Sequence, residues 1–206
     1  MNKIIKNALI LMAITLVSGL LLGLVYSITK EPIAKAEAKA QEEAYLAVFP
    51  KAQELTEPEN KEDLLAGAAD VLAQAGYAGS DTLEDFYVAK RDGQIIGVVM
   101  NVTSHEGYGG DINFSMGIDL DGTVEGVAIL SISETAGLGM RATEEGFKGQ
   151  FAGKAVDKFV VTKTGASAEN EVDAISGATF TSNAMTNGVN AGICFYRSLA
   201  EGGILQ

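Results

Sequence analysis

The chain has very few cysteine and histidine side chains. It contains one cysteine, Cys194, and one histidine, His105, in 206 residues. One cysteine cannot form an internal disulfide. The two residues together cannot hold an iron–sulfur cluster or a structural zinc ion, because both need several such ligands. Any electron transfer by this chain would therefore require a bound organic cofactor.

Basic residues are also scarce. Residues 1–30 hold three lysines and no acid, so residues 31–206 carry 12 basic against 27 acidic residues, a formal charge of −15. No basic patch is available to neutralise phosphates, which argues against a nucleic-acid partner and against docking on anionic lipid head groups. The acidic balance is typical of a solvated surface.

One long segment has no charge. Residues 8–28 are 21 uncharged residues, and a helix of that length rises about 31 Å, enough to cross the hydrocarbon core of a bilayer. The run exceeds the roughly 7–15 apolar residues of a cleaved signal peptide, and residues 26–30 are a poor cleavage site. We therefore predict an uncleaved transmembrane anchor in residues 1–30. The flanking lysines are nearly balanced and leave its orientation open.

Residues 31–84 are predicted to be a helical connecting region. We expect Glu31 and Pro32 to break the chain away from the membrane helix. Residues 33–49 are rich in good helix formers, and residues 61–75 also read as a helix. The stretch between them, residues 50–60, reads as a polar connection.

Residues 85–206 are predicted to be an α+β domain with an antiparallel sheet packed on helices. Asp-Gly pairs at 92–93 and 121–122 each separate two strand-like runs, which is a strong hairpin signal. A short helix over 142–147 and a strand over 158–163 follow. The last helix, over 183–200, has one apolar face. That face consists of Met185, Val189, Ile193, Tyr196 and Leu199.

The segment ahead of this helix, residues 173–182 (DAISGATFTS), has seven small or hydroxylated residues. Small side chains let another molecule approach the backbone, and Gly177 allows a turn that other residues resist. Free amides at a helix start favour a phosphate. The segment thus combines a hydroxyl nucleophile with a phosphate site, as an ester-linked cofactor needs. It also fits an ordinary turn capped by Thr181, Ser182 or Asn183.

Three other segments accompany it. Residues 134–139 (ETAGLG) directly follow the second hairpin, and their three small residues would let a flat ring lie close to the backbone. The other two are residues 147–154 (FKGQFAGK) and 107–110 (GYGG).

Together these segments resemble the FMN-binding subunits of Rnf complexes and of Na⁺-pumping NADH:quinone oxidoreductases, over roughly residues 85–200. The flavinylation motif of that family, Asp-x-x-Ser-Gly-Ala-Thr, matches at every fixed position. Its Glu-Thr-Pro-Gly-Leu-Gly segment matches except at Ala136, where the family has proline. The length and the single leader helix resemble the G subunit of Rnf more than the longer C subunit of the pump.

The resemblance implies that a flavin transferase uses FAD to attach FMN to Thr179 through a phosphoester. Asp173 would belong to the segment that the transferase recognises. By chemistry alone, Thr181 and Ser182 are also candidates for the ester, and backbone groups around them could hold the phosphate. The other implied cofactor-site residues are Ser176, Gly177, Ala178, Glu134, Thr135, Gly137, Leu138 and Gly139. No catalytic residue and no metal ligand is expected.

The function implied is that of an electron-carrying subunit of an Rnf-type ferredoxin:NAD⁺ oxidoreductase that translocates Na⁺ or H⁺. Its partners would be the other subunits and, during maturation, the flavin transferase. It would be a single-pass protein of the cell membrane with its soluble domain outside the cytoplasm. The alternatives are a C-type subunit of the Na⁺-pumping NADH:quinone oxidoreductase, a stand-alone extracytoplasmic flavin domain, or an assembly subunit without a cofactor.

Overall fold

The computed structural model describes residues 2–205. Its contacts divide the chain into two compact units, one ending at Ala40 and one beginning at Gln41. The division after residues 30 and 84 stays a prediction, and residue 84 lies inside a strand.

The first unit belongs to a single helix, α1 (Asn2–Val48), which continues into the second unit. By length and composition α1 can cross a membrane, and the side chains of its apolar part are exposed. The expected break at Glu31 and Pro32 is wrong, because Pro32 lies inside α1. Proline removes one backbone donor, but the helix formers on both sides continue the turns.

The second unit has the predicted α+β architecture. After α1 its elements are β1 (Glu54–Thr56), α2 (Lys61–Gln74), β2 (Asp81–Arg91), β3 (Gln94–Ser104), β4 (Ile112–Asp119) and β5 (Val124–Ile132). A 3₁₀ helix (Gly139–Thr143), α3 (Glu145–Lys148), β6 (Val160–Thr162), β7 (Glu171–Asp173) and α4 (Thr179–Glu201) follow.

Strands β1 to β5 form one antiparallel sheet in sequence order. Both predicted hairpins are confirmed, as β2–β3 and β4–β5. Asp92 and Gly93 have φ of 53° and 77°, as the tight turns that match strand twist require. Strand β1 was missed, because three residues inside a polar connection give no periodic pattern. Strands β6 and β7 pair in parallel as a separate small sheet.

Helix α4 lies very close to one face of the large sheet. Its predicted apolar face is buried, and two glycines set the distance. A Cβ on Gly188 would lie 2.8 Å from Cε1 of Phe114, and one on Gly192 would collide with Sδ of Met116. The absence of these side chains therefore allows Phe114 and Met116 to fill the space between helix and sheet.

The end of α1 covers the opposite face of the sheet. Val48 and Phe49 are each 1% exposed and lie against Gly97, Gly117 and Gly126 on three adjacent strands. A Cβ on Gly117 would lie 2.6 Å from the carbonyl oxygen of Val48 and 2.9 Å from Cδ2 of Phe49. The last turn of α1 is therefore packed into the domain rather than serving as part of a separate connecting region.

We expect Gly117→Ala to destabilise the domain by about 1–3 kcal/mol, because the new methyl group overpacks the contact with Val48 and Phe49. Thermal unfolding of the full chain in detergent, followed by tyrosine fluorescence, measures this, since the chain has six tyrosines and no tryptophan.

Gly67→Ala is the matched control. Gly67 lies inside α2, and outside its own helix backbone no described residue comes within 4 Å of the added Cβ, so this variant should gain about 0.5–1 kcal/mol from helix propensity. Equal melting temperatures for the two variants would contradict the close contact at Gly117.

Candidate functional site

The two predicted cofactor segments meet at one cavity of about 380 Å³. One wall comes from the loop after β5, and the other comes from the turn that leads into α4. The cavity is lined by Tyr108, Glu134, Thr135, Leu138, Gly139, Gly177, Ala178, Thr179, Phe180 and Thr181. Eight of the twelve predicted site residues are among them, so residues about 40 positions apart in sequence converge here.

Two glycines allow the two walls to approach each other. A Cβ on Gly139 would lie 2.5 Å from Oε2 of Glu134 and 2.6 Å from Oγ1 of Thr181, and Gly139 itself is buried. Gly177 has φ of 79°, and a Cβ there would lie 3.0 Å from Cδ2 of Leu138. Larger residues at these positions would separate Glu134 and Leu138 from the start of α4.

Glu134 is a buried carboxylate on the cavity wall, with 9% of its surface exposed. Its Oε1 accepts a hydrogen bond from the backbone N–H of Gly109 at 3.3 Å. This bond ties the loop between β3 and β4 to the loop after β5. Through this bond Glu134 holds the loop that carries Tyr108, another lining residue.

Thr179 is the first residue of α4 and is half-buried at the cavity. The helix was expected to begin at residue 183, with Thr181, Ser182 or Asn183 as its cap. Instead Ala178 is the N-cap residue, with no side-chain cap among the described residues. Residues 179–182 are helical because tertiary packing buries this turn, in which Thr181 and Ser182 are fully buried.

The Ser182 hydroxyl fastens the turn rather than facing the cavity. Its Oγ donates to the carbonyl oxygen of Ala178 at 2.9 Å and accepts from the N–H of Ile175 at 2.9 Å. Thr181 lines the cavity but is 1% exposed. Of the three hydroxyl groups considered for an ester, that of Thr179 lies on the most exposed residue.

The first turn of α4 leaves backbone donors free. Ser182 gives the first intrahelical bond, from its N–H to the carbonyl oxygen of Ala178. No acceptor in residues 2–205 contacts the N–H groups of Thr179, Phe180 or Thr181. Such donors, with the helix dipole behind them, favour an anion. The hydroxyl of Thr179 belongs to this same turn.

Sequence reasoning missed two aromatic residues at the cavity. Tyr108 and Phe180 are 75% and 70% exposed, and their ring centroids lie 6.3 Å apart. Six large apolar side chains are exposed in the described part of the second unit, and three of them, Tyr108, Phe180 and Leu138, border this cavity. The position of Tyr108 inside the glycine-rich segment 107–110 was the signal available in the sequence.

Four predicted residues do not line the cavity. Gly137 lies in the loop after β5 with φ of 76°, and Ser176 is exposed in the turn before α4. Ser182 is buried, and its hydroxyl bonds the backbone of Ile175 and Ala178 in the turn. Asp173 ends β7, and its Oδ1 accepts from the N–H of Ala166 at 2.6 Å.

A buried carboxyl lies outside the cavity, at the start of β2. Asp81 is 4% exposed, and its Oδ2 accepts from the Ser80 hydroxyl at 2.8 Å. Its Oδ1 has no hydrogen-bond partner in the described chain. Burial raises the pKa of Asp81, and the nearby Glu106 carboxylate raises it further, against the lowering effects of Ser80, Ser104 and His105.

The fold and the cavity define a cofactor-binding domain. A family model described as "FMN-binding domain" matches residues 107–193, and one described as "RnfG N-terminal region" matches residues 1–48. The chain is 30% identical to the G subunit of the Na⁺-translocating ferredoxin:NAD⁺ oxidoreductase complex of Acetobacterium woodii, over 96% of this chain and 94% of that protein. It therefore belongs to the family of Rnf complex G subunits, which confirms the resemblance described above.

Other relatives are named as the same component. The G subunit of the ion-translocating oxidoreductase complex of Aliivibrio fischeri is 30% identical over 95% of this chain and 91% of that protein. The G subunit of the proton-translocating ferredoxin:NAD⁺ oxidoreductase complex of Clostridium ljungdahlii is 29% identical, over 86% and 83% respectively. A crystal structure of Shewanella oneidensis NqrC matches with a TM-score of 0.48 and 18% identity, over 75% of this chain and 74% of that chain.

The raised pKa of Asp81 predicts a pH dependence of stability. The unfolded chain titrates near the ordinary value of 3.8, and the folded protein titrates above it. The folded state therefore holds the proton more tightly, and stability falls as pH rises from 3.8 through the higher folded pKa. We expect Asp81→Asn to lose this contribution to the pH dependence of the free energy of unfolding.

Melting temperatures of wild type and Asp81→Asn across a pH series test this. As pH rises, the melting temperature of Asp81→Asn should increase relative to that of the wild type. Asp92→Asn is the control, since Asp92 is exposed in a hairpin turn. A constant difference between wild type and Asp81→Asn at all pH values would contradict the assignment.

Proposed function

We propose that this chain is the membrane-anchored flavoprotein subunit of an Rnf-type complex, and that it carries electrons through FMN attached covalently to Thr179. The observation that carries the proposal is the cavity itself. It brings the segment 134–139 against the start of α4, with the half-buried Thr179 between them. The FMN-binding family match covers both segments.

The residues present fit an ester-linked FMN. A cavity of about 380 Å³ lies in the range of small-molecule sites. The free N–H groups of Thr179, Phe180 and Thr181 would hold the phosphate beside the Thr179 hydroxyl. Tyr108, Phe180 and Leu138 offer apolar surface for a flat aromatic ring. Bound FMN supplies electron transfer through its isoalloxazine ring.

Attachment would be a phosphoryl transfer from FAD, catalysed by a flavin transferase. A bond forms between Oγ1 of Thr179 and the phosphorus on the riboflavin side of FAD. The pyrophosphate bond breaks, AMP leaves, the hydroxyl proton passes to solvent, and no electrons are exchanged. Thr179 is favoured over Thr181 and Ser182, because the latter two are fully buried.

The chain's own residues would hold and shield the cofactor. Gly139 and Gly177 keep the two walls close. Glu134 fixes the loop that carries Tyr108, and its carboxylate would place a negative charge or a hydrogen-bond acceptor beside the ring. Such groups tune the potential of a bound flavin.

The electron carrier would work within a complex. The relatives are named as subunits of ion-translocating ferredoxin:NAD⁺ oxidoreductases, so its partners would be the other subunits of such a complex. Because these relatives are named as G subunits, they favour this function over a C-type subunit of the Na⁺-pumping NADH:quinone oxidoreductase and over a stand-alone flavin domain. Helix α1 would anchor the chain as a single span, with residues 41–206 outside the cytoplasm.

Mass spectrometry of the native, membrane-extracted protein tests the attachment. The tryptic peptide of residues 164–197 contains Thr179, Thr181 and Ser182. It should be heavier by about 438 Da, the mass of FMN less water, and fragmentation should place the addition on Thr179. Thr179→Ala should abolish the addition and the flavin absorbance that survives denaturation.

Thr181→Val is the control, since it removes a neighbouring buried hydroxyl and should keep the addition. An unmodified wild-type peptide from a host that has the flavin transferase would refute the covalent attachment. An addition on residue 181 or 182 would refute the choice of Thr179.

A further inference from the structure

Strand β7, which leads into the attachment turn, has one edge without a strand partner among residues 2–205. β7 pairs with β6 along its other edge, and the N–H of Ala174 continues that pairing to the carbonyl oxygen of Thr162 at 2.8 Å. In a strand, alternate backbone groups point to opposite edges. The N–H and C=O of Asp173 and the C=O of Glu171 therefore need partners from elsewhere.

Gln150 supplies the partners for Asp173. Its Oε1 accepts from the N–H of Asp173 at 2.7 Å, and its Nε2 donates to the carbonyl oxygen of Asp173 at 3.3 Å. The same Nε2 donates to the carbonyl oxygen of Gly146 at 3.2 Å, in α3. The side-chain amide thus takes the place that a backbone amide of a third strand would fill.

Lys154 supplies the partner for Glu171. Its Nζ donates to the carbonyl oxygen of Glu171 at 3.3 Å and lies 5.7 Å from the ring centroid of Phe159. Gln150 and Lys154 are four residues apart in the segment 147–154, so one segment holds two alternate residues of β7, Asp173 and Glu171.

The segment 147–154 is itself held firmly. Phe147, Phe151 and Phe159 pack edge to face with centroids 5.8 Å and 5.1 Å apart. The N–H of Gly153 donates to the carbonyl oxygen of Val124 at 2.7 Å, and the N–H of Val124 donates to that of Lys154 at 3.0 Å. These bonds join the segment to the start of β5, in the large sheet.

We propose that Gln150, assisted by Lys154, is a positioning residue for cofactor attachment. The segment 147–154 is bonded to the large sheet, and Gln150 in that segment holds Asp173. Gln150 thereby fixes the position in which Asp173 and the turn before Thr179 meet the flavin transferase. The inference rests on the proposed covalent FMN. It also gives the segment FKGQFAGK a role that packing of its two phenylalanines does not account for.

Gln150→Met tests the inference, because methionine has a similar size and flexibility but neither hydrogen-bonding group of the amide. The full chain in detergent, expressed without the transferase, is incubated with purified flavin transferase, Mg²⁺ and FAD, and the rate of FMN addition is followed by mass. We expect the KM for the acceptor chain to rise about fivefold with kcat within about twofold, since only a fraction of chains present the turn correctly.

Gln94→Met is the matched control. Gln94 is exposed at the start of β3 and lies outside the segment 147–154, so its replacement should leave both constants unchanged. The melting temperature of each variant is measured alongside. Far below the melting temperature nearly all chains are folded, so loss of folded protein cannot account for a fivefold rise in KM there.

The outcomes separate the two proposals. No addition to the wild-type chain would refute the proposed function. Addition to wild type and to Gln150→Met with the same KM would overturn the role of Gln150 and leave the proposed function standing. If Gln150→Met does not fold, Lys154→Met decides, because it loses one hydrogen bond and the contact with the Phe159 ring but keeps the backbone bonds of the segment. An unchanged KM in that variant would overturn the inference.

Discussion

The close approach of α4 to the sheet is the constraint on which the rest of the domain depends. Gly188 and Gly192 leave room for Phe114 and Met116, so the helix lies deep against β4. Because α4 is a rigid rod, this packing also fixes its first turn. The side chains that begin the helix are then held in place by core packing, without the need for a loop of defined conformation. Buried Thr181 and Ser182 show how far the core extends toward the cavity.

Much of this could be predicted from the sequence, where the signal is local. The Asp-Gly hairpins are specified by turn geometry at two residues each, and the apolar face of α4 by its periodicity. The motif segments predicted which parts of the chain come together at the cavity. These features depend on short spacings that a single sequence displays directly.

The remainder depends on contacts between distant residues. No residue near Val48 in the sequence indicates that it will lie on Gly117. A glycine in a strand can mark a bulge, a bend or the close approach of another backbone, and the sequence does not distinguish these. Strands β1, β6 and β7 are three residues long and owe their existence to their partners. Helix α4 begins at Thr179 and not at the predicted residue 183, because tertiary burial outweighs the preference of Ser and Thr for cap positions. Tyr108 and Phe180 can be recognised as a pair at the cavity only once the β3–β4 loop is seen to lie beside α4.

The uncapped start of α4 has a thermodynamic consequence. The first N–H groups of α4 have no partners within the described protein and are therefore available to a ligand. Any anion that binds there stabilises that turn by an amount set by its affinity, because binding to the folded state alone shifts the folding equilibrium. Under the proposed function the anion is the cofactor's own phosphate. Attachment of the cofactor would then also complete the hydrogen bonding of the first turn of α4, and the mature chain would resist unfolding more than the immature one.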